Sequence, residues 1–332
     1  MVERPMQVSS LTARQHIRWR RALCLFSCLL LLASGVALSV GELWINPLAP
    51  DSPLAQQLLI QLRLPRVLAA LLIGASLAMA GASLQVLLGN PLAEPGVLGI
   101  SGGASIAVVL LLLLAPTWVS SSHMAIAAML GASAFTLILV MLARRALATS
   151  RILLVGVALS ILAGSGVTLA FYFSTDFNLR QLMVWLMGSL SGMRLEHVAI
   201  LSITLPCIAL LWRYGQKLDQ LMLGDQQAQQ LGLDTHRLRW QLIVLVSILV
   251  GVSVATAGVI GFIGLIVPHY LRLWLGSRNS YLLPMSALAG ALLLVCADTI
   301  GRLIIPSAEL PVGVVTSVIG APLFIWMLVR AG

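Results

Sequence analysis

Residues 63–99 read RLPRVLAALLIGASLAMAGASLQVLLGNPLAEPGVLG, in which two arginines precede a long apolar segment and a polar loop closes it. No charged residue lies between Val67 and Gly89, and a helix over this stretch, at about 1.5 Å per residue, is long enough for the roughly 30 Å hydrocarbon core of a bilayer. The tetrapeptide GASL at 74–77 recurs at 81–84, which places small side chains along one face. Such stripes let membrane helices approach closely. The stretch therefore predicts a membrane-spanning helix whose small face packs against a neighbouring helix rather than holding a ligand.

The composition of the whole chain leads to the same conclusion. Of 332 residues, 59% are hydrophobic and 9% are charged, and the mean hydropathy is +1.01. A water-soluble globular protein has many more charged residues than this. A β-barrel would need short strands of alternating polarity, whereas the uncharged run at 242–268 is continuous. We therefore predict an all-α, polytopic membrane protein with a single transmembrane domain over 1–332.

Ten apolar runs have the length of membrane spans, and the basic residues orient them. With a cytoplasmic N-terminus, fifteen of the 20 lysines and arginines fall on the inner side and five on the outer side, in agreement with the positive-inside rule. An odd number of spans would lose this bias, so we expect both termini to be cytoplasmic, with a basic N-terminal segment over 1–21. The predicted spans are 22–41, 64–88, 98–115, 122–143, 152–173, 197–212, 238–257, 259–274, 281–300 and 311–329.

The first apolar run and the cysteines indicate neither processing nor metal chemistry. The run is long and no clear small-x-small cleavage site follows it, so we expect it to be the first span and not a signal peptide. All four cysteines lie inside predicted spans, and no histidine cluster accompanies them, which predicts neither a disulfide nor a metal site. They are Cys24, Cys28, Cys207 and Cys296.

The small-residue pattern of the second span occurs again in the seventh. Both 74–81 and 251–258 read G-x-S-x-A-x-A-G. In the predicted topology these two helices run in opposite directions, as the halves of an inverted repeat do in many transporters. Small residues are common in all membrane helices, so chance similarity is the alternative.

Charged residues inside the predicted spans are almost absent. Asp298 is the only acid that the spans enclose, and Arg302 follows it by four residues, so an i, i+4 ion pair would account for it. His269 lies near the end of its span, where packing is favoured over proton transfer. There is no G-x-x-x-x-G-K-[ST] phosphate loop, and the only lysine, Lys217, does not follow a glycine. We therefore expect no catalysis and no cofactor, and active transport would need an ATPase on another polypeptide.

Two inner turns and two longer loops separate the apolar runs. Prolines break the chain sharply at 90–96, and Thr149 and Ser150 are placed to cap the fifth span. The outer loop over 176–196 mixes apolar and polar residues as a surface helix does. The inner loop over 216–239 is polar and helix-forming on either side of glycines, which predicts two short helices. This inner loop is either an ordinary connection or, as we favour, a docking point for a cytoplasmic motor.

Several ordered motifs resemble one family of transport proteins. They are LPRVLAALLIGASLAMAG at 64–81, NPLAEPGVLG at 90–99, TSRILLVGVAL at 149–159, LMLGDQQAQQLG at 221–232, GFIGLIVPH at 261–269 and ELPVGVVTSVIGAPLF at 309–324. Together they resemble the membrane subunits of the FecCD-type iron-chelate and cobalamin importers, which are type II ATP-binding-cassette (ABC) systems. The tract FYFSTDFNLRQLMVWLMGSLSG at 171–192, with NPLAEPG, is most similar to the cobalamin members.

This resemblance implies a permease subunit in the bacterial inner membrane that forms a homodimer with ten spans per subunit. Two copies of a cytoplasmic ATPase would hydrolyse ATP, and a periplasmic binding protein would deliver the ligand. Cobalamin (vitamin B12) is the expected ligand. A ferric siderophore or haem is the alternative within the family, and an ion-coupled secondary carrier is a remote alternative outside it.

Carried onto matching positions, the resemblance also implies three groups of site residues. The residues expected to dock the binding protein on the outer side are Arg63, Arg66 and Arg302. The residues expected at the inner gate of the pathway are Asn90, Leu92, Thr149 and Ser150. The coupling segment, residues 223–232, is expected to contact the ATPase through Leu223, Gly224, Asp225, Ala228, Gln229, Leu231 and Gly232.

Overall fold

The computed structural model of the chain describes residues 4–41, 43–50, 52–115, 120–143, 149–173, 182–304 and 309–331. Every regular element within these ranges is helical. The elements are α1 (Arg4–Ser39), α2 (Pro53–Leu58), a π-helical turn (Leu59–Arg63), α3 (Leu64–Leu87), a 3₁₀ turn (Pro95–Leu98), α4 (Ile100–Leu114), α5 (Ser121–Ala143), α6 (Thr149–Phe173), α7 (Leu195–Leu201), α8 (Thr204–Arg213), α9 (Gly215–Leu221), α10 (Asp225–Gln230), α11 (Thr235–Ala257), α12 (Ile263–Leu275), α13 (Asn279–Ile304) and α14 (Val312–Ala331).

Within the described residues, seven helical stretches are long and apolar enough to cross a membrane. They are Gln15–Ser39, Pro53–Leu87, Ser122–Leu139, Ile152–Phe173, Leu195–Arg213, Thr235–Ala257 and Asn279–Ile304. Three shorter apolar helices, Ile100–Leu114, Ile263–Leu275 and Val312–Trp326, coincide with the remaining predicted spans. The all-α, multi-pass architecture is confirmed, and the number of ten spans stays a prediction.

The helix α3 is the centre of the fold. Every residue at 76–87 is buried, and α3 packs against α11, α12 and, most extensively, α13. A Cβ on Gly74 would collide with the backbone of Gly290 in α13, and a Cβ on Gly81 would collide with the backbone of Gly264 in α12. The small-residue stripe is therefore a packing seam, as the sequence predicts, because only residues without a side chain let these backbones meet.

Substitution in this seam should destabilise the protein. We expect Gly81→Ala to lower the free energy of unfolding by about 1–3 kcal/mol, since the new methyl group overlaps backbone atoms that cannot move without separating α3 from α12. The control is Gly35→Ala in α1, where a Cβ would meet no atom within 4 Å. The measurement is the unfolding midpoint of each detergent-purified variant. Equal midpoints for the two variants would contradict the seam.

The basic N-terminal segment is the first part of α1, so it continues directly into the first span. Trp19 is buried and stacks on Tyr281 of α13, with 5.4 Å between ring centroids. The Arg18 guanidinium donates a hydrogen bond of 3.0 Å to the Trp274 carbonyl in α12. The inner part of α1 is therefore fixed to the inner ends of α12 and α13.

Two breaks interrupt the bundle at related positions. Residues 88–99 separate α3 from α4, and residues 258–262 separate α11 from α12. The helices after the breaks have 15 and 13 residues, and at about 1.5 Å per residue both are shorter than a roughly 30 Å hydrocarbon core. A long helix, a break and a short helix thus occur twice in opposite directions, which favours an inverted repeat over chance similarity.

The outer loop is attached to two helices of the bundle. Residues 174–181, which include the start of the predicted surface helix, lie outside the described residues; 182–186 is helical and turns follow it. The Ser189 N–H donates to the Ala257 carbonyl at 2.8 Å, and the Gly313 N–H donates to the Gly188 carbonyl at 3.2 Å. These bonds join the loop to the outer ends of α11 and α14.

Candidate functional site

An ion-pair cluster lies at the outer ends of α3 and α13. The Arg66 guanidinium donates to both Asp298 oxygens at 2.8–3.0 Å and to the Glu309 carboxylate at 2.9 Å. The side chains of Arg66 and Asp298 are only 12% and 4% exposed, whereas that of Glu309 is 46% exposed. Arg302 lies 3.4 Å from Asp298, so the predicted i, i+4 pair is confirmed. Arg66, which the sequence did not connect with Asp298, is nevertheless its closer partner.

Arg63 and Arg302 hold the outer end of α1. Arg63 donates to the Leu38 carbonyl at 2.9 Å and to the Ser39 carbonyl at 2.7 Å, and Arg302 donates to the Ala37 carbonyl at 3.0 Å. Carbonyls in the last turn of a helix lack intrahelical partners, and cations are favourable there. The structure thus brings the three predicted docking arginines together, but each already has an intramolecular partner. Their docking role stays a prediction.

The predicted inner gate begins in the break after α3. The Asn90 side-chain oxygen accepts from the Leu92 N–H at 2.9 Å, and the Asn90 carbonyl accepts from the Ala93 N–H at 3.1 Å. These bonds make residues 90–93 a compact Asx turn, here called the gate turn, and the Leu92 side chain is exposed on it. The helix α6 begins at Thr149, but the side chains of Thr149 and Ser150, and with them that part of the gate prediction, lie outside the described residues.

Glu94 connects the gate turn to the start of α12. Its carboxylate oxygen Oε1 accepts a hydrogen bond of 2.8 Å from the Phe262 N–H. Phe262 has φ of +70° and is the only non-glycine residue with positive φ in the part of the chain that the structure describes. A bulky residue in this region is strained, and such strain persists only where the surroundings hold it.

This contact lies beside the middle of α3. A Cβ on Gly264, two residues after Phe262, would lie 2.9 Å from the Leu77 carbonyl and 2.8 Å from the Pro95 side chain. Leu77 is ten residues before the inner end of α3, or about 15 Å along the helix. Glu94 therefore lies beside the middle of α3, although it belongs to the loop between two predicted spans and not to a span.

The inner loop contains two short helices, α9 and α10. Gly224 and Gly232 flank α10 with φ of +99° and +82°, values that favour residues without a Cβ. Ala228 is fully buried on one face of α10, whereas Leu223 and Leu231 are 55% and 57% exposed. Exposed apolar side chains on a polar inner loop are available for contact with another protein.

Side-chain hydrogen bonds attach α10 to α11. Asp225 forms an ion pair of 2.9 Å with Arg239, and the Gln229 side-chain amide donates to the Thr235 hydroxyl at 3.0 Å. Of the seven predicted coupling residues, two are therefore exposed leucines and five shape or attach the segment.

Arg272, near the inner end of α12, connects the coupling segment to α3. It donates to the Ala82 carbonyl at 3.2 Å, to the Gln85 side-chain oxygen at 3.3 Å and to the Asn279 side-chain oxygen at 3.2 Å. Its other contact is the Met222 sulfur at 3.8 Å, and Met222 directly precedes the coupling segment. The sequence did not single out this residue, because its partners lie on three different elements.

A cavity of about 510 Å³ opens between the gate turn, the coupling segment and Arg272. Asp219 of α9 accepts from the Asn279 amide at 2.9 Å and from the Ser280 hydroxyl at 3.0 Å, and Asn279 also contacts Met222, which lines the cavity. The cavity lining includes Gly89 and Pro91, the two neighbours of the predicted gate residue Asn90, and the predicted coupling residues Gly224 and Asp225. It also includes Gln85, Met222 and Arg239.

Known proteins match this chain over nearly its full length. The model of the FecCD transport family matches residues 22–330. This chain belongs to the FecCD transport family. The FecCD motifs on which the sequence resemblance rests, from the second span to ELPVGVVTSVIGAPLF, all fall within the matched residues.

Individual FecCD relatives and a solved structure agree with this assignment. The chain is 57% identical over 326 residues to the vitamin B12 import system permease protein BtuC of Vibrio cholerae, and the match covers 98% of each chain. It is 46% identical over 326 residues to the protein of the same name from Pectobacterium atrosepticum, with 97% of each covered. A solved structure described as an inward-facing metal-chelate-type ABC transporter superposes with a TM-score of 0.87 at 30% identity, covering 94% of this chain and 99% of that one.

Proposed function

We propose that this chain is the membrane-spanning permease subunit of an ATP-driven importer of vitamin B12 in the bacterial inner membrane. The observation that carries the proposal is its 46–57% identity, over nearly the full length, to vitamin B12 import permeases of several bacteria. The chain would supply the pathway, and a separate ATPase would hydrolyse ATP. A ferric siderophore or haem is the alternative substrate, since FecCD membership alone does not distinguish these chelates.

The proposed assembly is a homodimer with two copies of a cytoplasmic ABC ATPase and a periplasmic binding protein. The exposed leucines of the coupling segment support an ATPase contact on the inner side. In the most apolar part of α6, only 22% of the residues are buried within this chain. This exposure is consistent with a second copy of the chain, or lipid, packing against α6.

Uptake of labelled cobalamin tests the substrate. The chain is expressed with its ATPase in cells that lack their own cobalamin permease, and we expect uptake to be restored. Uptake of a ferric siderophore or haem without cobalamin would overturn the substrate assignment. Uptake that survives loss of the ATPase, and that stops when an uncoupler is added at constant ATP, would instead indicate an ion-coupled carrier.

The outer cluster, which consists of Arg63, Arg66, Arg302, Asp298 and Glu309, is the proposed docking site for carboxylates of the binding protein. The proposed inner gate consists of Asn90, Leu92, Thr149 and Ser150. The cluster holds three arginines and two acids, Asp298 and Glu309, so its net charge is 3 − 2 = +1. A positive cluster on the outer side would attract and orient an acidic partner surface.

Neutralising Arg302 should therefore weaken docking. We expect Arg302→Gln to raise the Kd for the binding protein about tenfold and to reduce the dependence of Kd on ionic strength, since interface charges govern pairing. Asp298 keeps its bonds to Arg66 in this variant. The control, Arg194→Gln, makes the same charge change on the outer side outside the cluster. Binding is measured on the reconstituted complex at low and high salt; an unchanged Kd for Arg302→Gln would refute the role.

A further inference from the structure

Polar contacts hold both ends of α12, and each contact involves a different functional segment. They are called the inner joint, around Arg272, and the gate joint, between Phe262 and Glu94. At the inner end, Arg272 contacts Met222 beside the coupling segment. At the other end, the Phe262 N–H bonds to Glu94 beside the gate turn. We propose that α12 transmits movement of the coupling segment to the gate turn, and that Glu94 is the positioning residue that connects helix and gate. This inference rests on the proposed function, because it needs an ATPase that moves the coupling segment.

The inner joint connects α12 to Met222 directly and to α9 through Asn279, the first residue of α13. Arg272 and Met222 both contact Asn279, whose amide lies 3.0 Å from the Met222 sulfur. Asn279 in turn donates to Asp219 of α9 through its side chain and its backbone N–H. A displacement of α9 and the coupling segment therefore displaces the partners of Arg272, and with them the inner end of α12.

The packing of α12 is compatible with rigid-body movement of this helix. It has 13 residues, or about 20 Å of helix. Near its start, the backbones of Gly264 and Gly81 lie so close that a Cβ on Gly81 would overlap Gly264. Side-chain hydrogen bonds join α12 to α3 through Arg272 and Gln85, towards the inner end of α3. A contact without interlocking side chains opposes sliding less than interdigitated side chains do, and sliding of packed helices is a common form of conformational change.

The gate joint transfers such a movement to the gate turn. Glu94 directly follows the Asx turn that holds Asn90 and Leu92, two of the four proposed gate residues. A displacement of the Glu94 carboxylate is therefore passed to these two residues through a short, hydrogen-bonded stretch of chain. The strained conformation of Phe262 presents its N–H to this carboxylate. Strained residues of this kind cluster at switch regions of proteins.

Two substitutions separate the hydrogen bond from the charge. Glu94→Ala removes the acceptor, whereas Glu94→Gln keeps an oxygen that can accept from the Phe262 N–H. The complex with ATPase and binding protein is reconstituted in vesicles, and cobalamin uptake and ATP hydrolysis are both measured. We expect uptake per ATP hydrolysed to fall about tenfold in Glu94→Ala, since a hydrogen bond to a charged acceptor is lost, and to stay within about twofold of wild type in Glu94→Gln. Glu196→Ala, which removes an exposed acid on the outer side, is the control.

The ratio of uptake to hydrolysis distinguishes coupling from stability. A purely structural role for Glu94 would lower uptake and hydrolysis in parallel, and that result would overturn the proposal. Normal coupling in Glu94→Ala would overturn it as well, as would a glutamine variant as defective as the alanine variant.

A second measurement does not depend on the transported ligand. Leu92→Cys, in a chain whose four native cysteines are replaced by serine, is labelled from the inner side with a membrane-impermeant maleimide. We expect ATP to change the labelling rate in the parent and Glu94→Gln, and the change to be lost in Glu94→Ala. If ATP alters labelling while the vesicles take up no cobalamin, the substrate assignment fails and the transmission by α12 stands. An equal ATP response in Glu94→Ala would refute the transmission whatever the substrate is.

Discussion

The double substitution Leu223→Asp and Leu231→Asp is expected to abolish ATP-driven uptake and to release the ATPase from this chain. These leucines are the exposed apolar side chains of the coupling segment, at 55% and 57% exposure. A few residues at the desolvated centre of an interface contribute most of its affinity, and a charge buried there without a partner costs several kcal/mol. We expect the Kd for the ATPase to rise at least about 100-fold, which corresponds to roughly 2.7 kcal/mol. Co-purification and uptake are the measurements.

A matched pair of substitutions separates the apolar contact from added negative charge. Gln226→Asp and Gln230→Asp place the same two charges on exposed positions of α10, and this variant should keep most of its ATPase. Both double variants alter exposed side chains, so their unfolding midpoints should equal that of the unaltered chain. Deletion of residues 225–230 should also release the ATPase. If the ATPase co-purifies with the leucine variant, the segment is not the contact.

The spans were predictable from sequence because lipid imposes a local requirement. Every backbone polar group in the bilayer must be bonded within the chain, so long uncharged runs become helices whatever their neighbours are. The seam at Gly74 and Gly81 was predictable for a similar reason, since small residues at helical spacing allow close helix packing in any membrane protein.

Partners that are distant in sequence were not predictable from local spacing. The pair of Asp298 and Arg302 follows from the four-residue spacing, whereas Arg66 lies 232 residues from Asp298 and forms the shorter bonds. Glu94 shows the same limit. Prolines on both sides of an acid indicate a loop, and only the tertiary fold shows that this loop turns back to the Phe262 N–H 168 residues away.

Within the coupling segment, the glycines were more predictable than the contacts. Gly224 and Gly232 interrupt a polar sequence that otherwise favours helix, and both have positive φ in the structure. Helix α10 has only six residues, too few for apolar periodicity to tell the buried Ala228 from the exposed leucines.

Removing Asp298 is expected to destabilise the fold strongly. Asp298→Leu leaves Arg66 and Arg302, whose side chains are 12% and 10% exposed, without their shared carboxylate. Breaking a buried ion pair by removal of one partner costs about 3–5 kcal/mol where the remaining charge is left uncompensated. We expect Asp298→Leu to cost about 3 kcal/mol, the lower end, because Arg66 keeps Glu309 and Arg302 keeps the Ala37 carbonyl. The free energy of unfolding of the purified variant in detergent measures this effect.

Arg66→Met should also destabilise the protein, since it leaves Arg302 as the only cation beside Asp298. The same unfolding measurement applies to this variant.

The double variant, Arg66→Met with Asp298→Leu, completes a double-mutant cycle. Because it removes both partners, we expect it to be at least about 1 kcal/mol more stable than the sum of the single effects predicts, whereas additivity within about 0.5 kcal/mol would show that the two residues do not interact. The double variant also removes one positive and one negative charge, so the net charge of the outer cluster remains +1. If it folds and still binds the binding protein less tightly, the loss must come from the position of the Arg66 guanidinium and not from the overall charge of the outer surface. Unchanged binding would assign Arg66 to the stability of the fold and leave docking to Arg63 and Arg302.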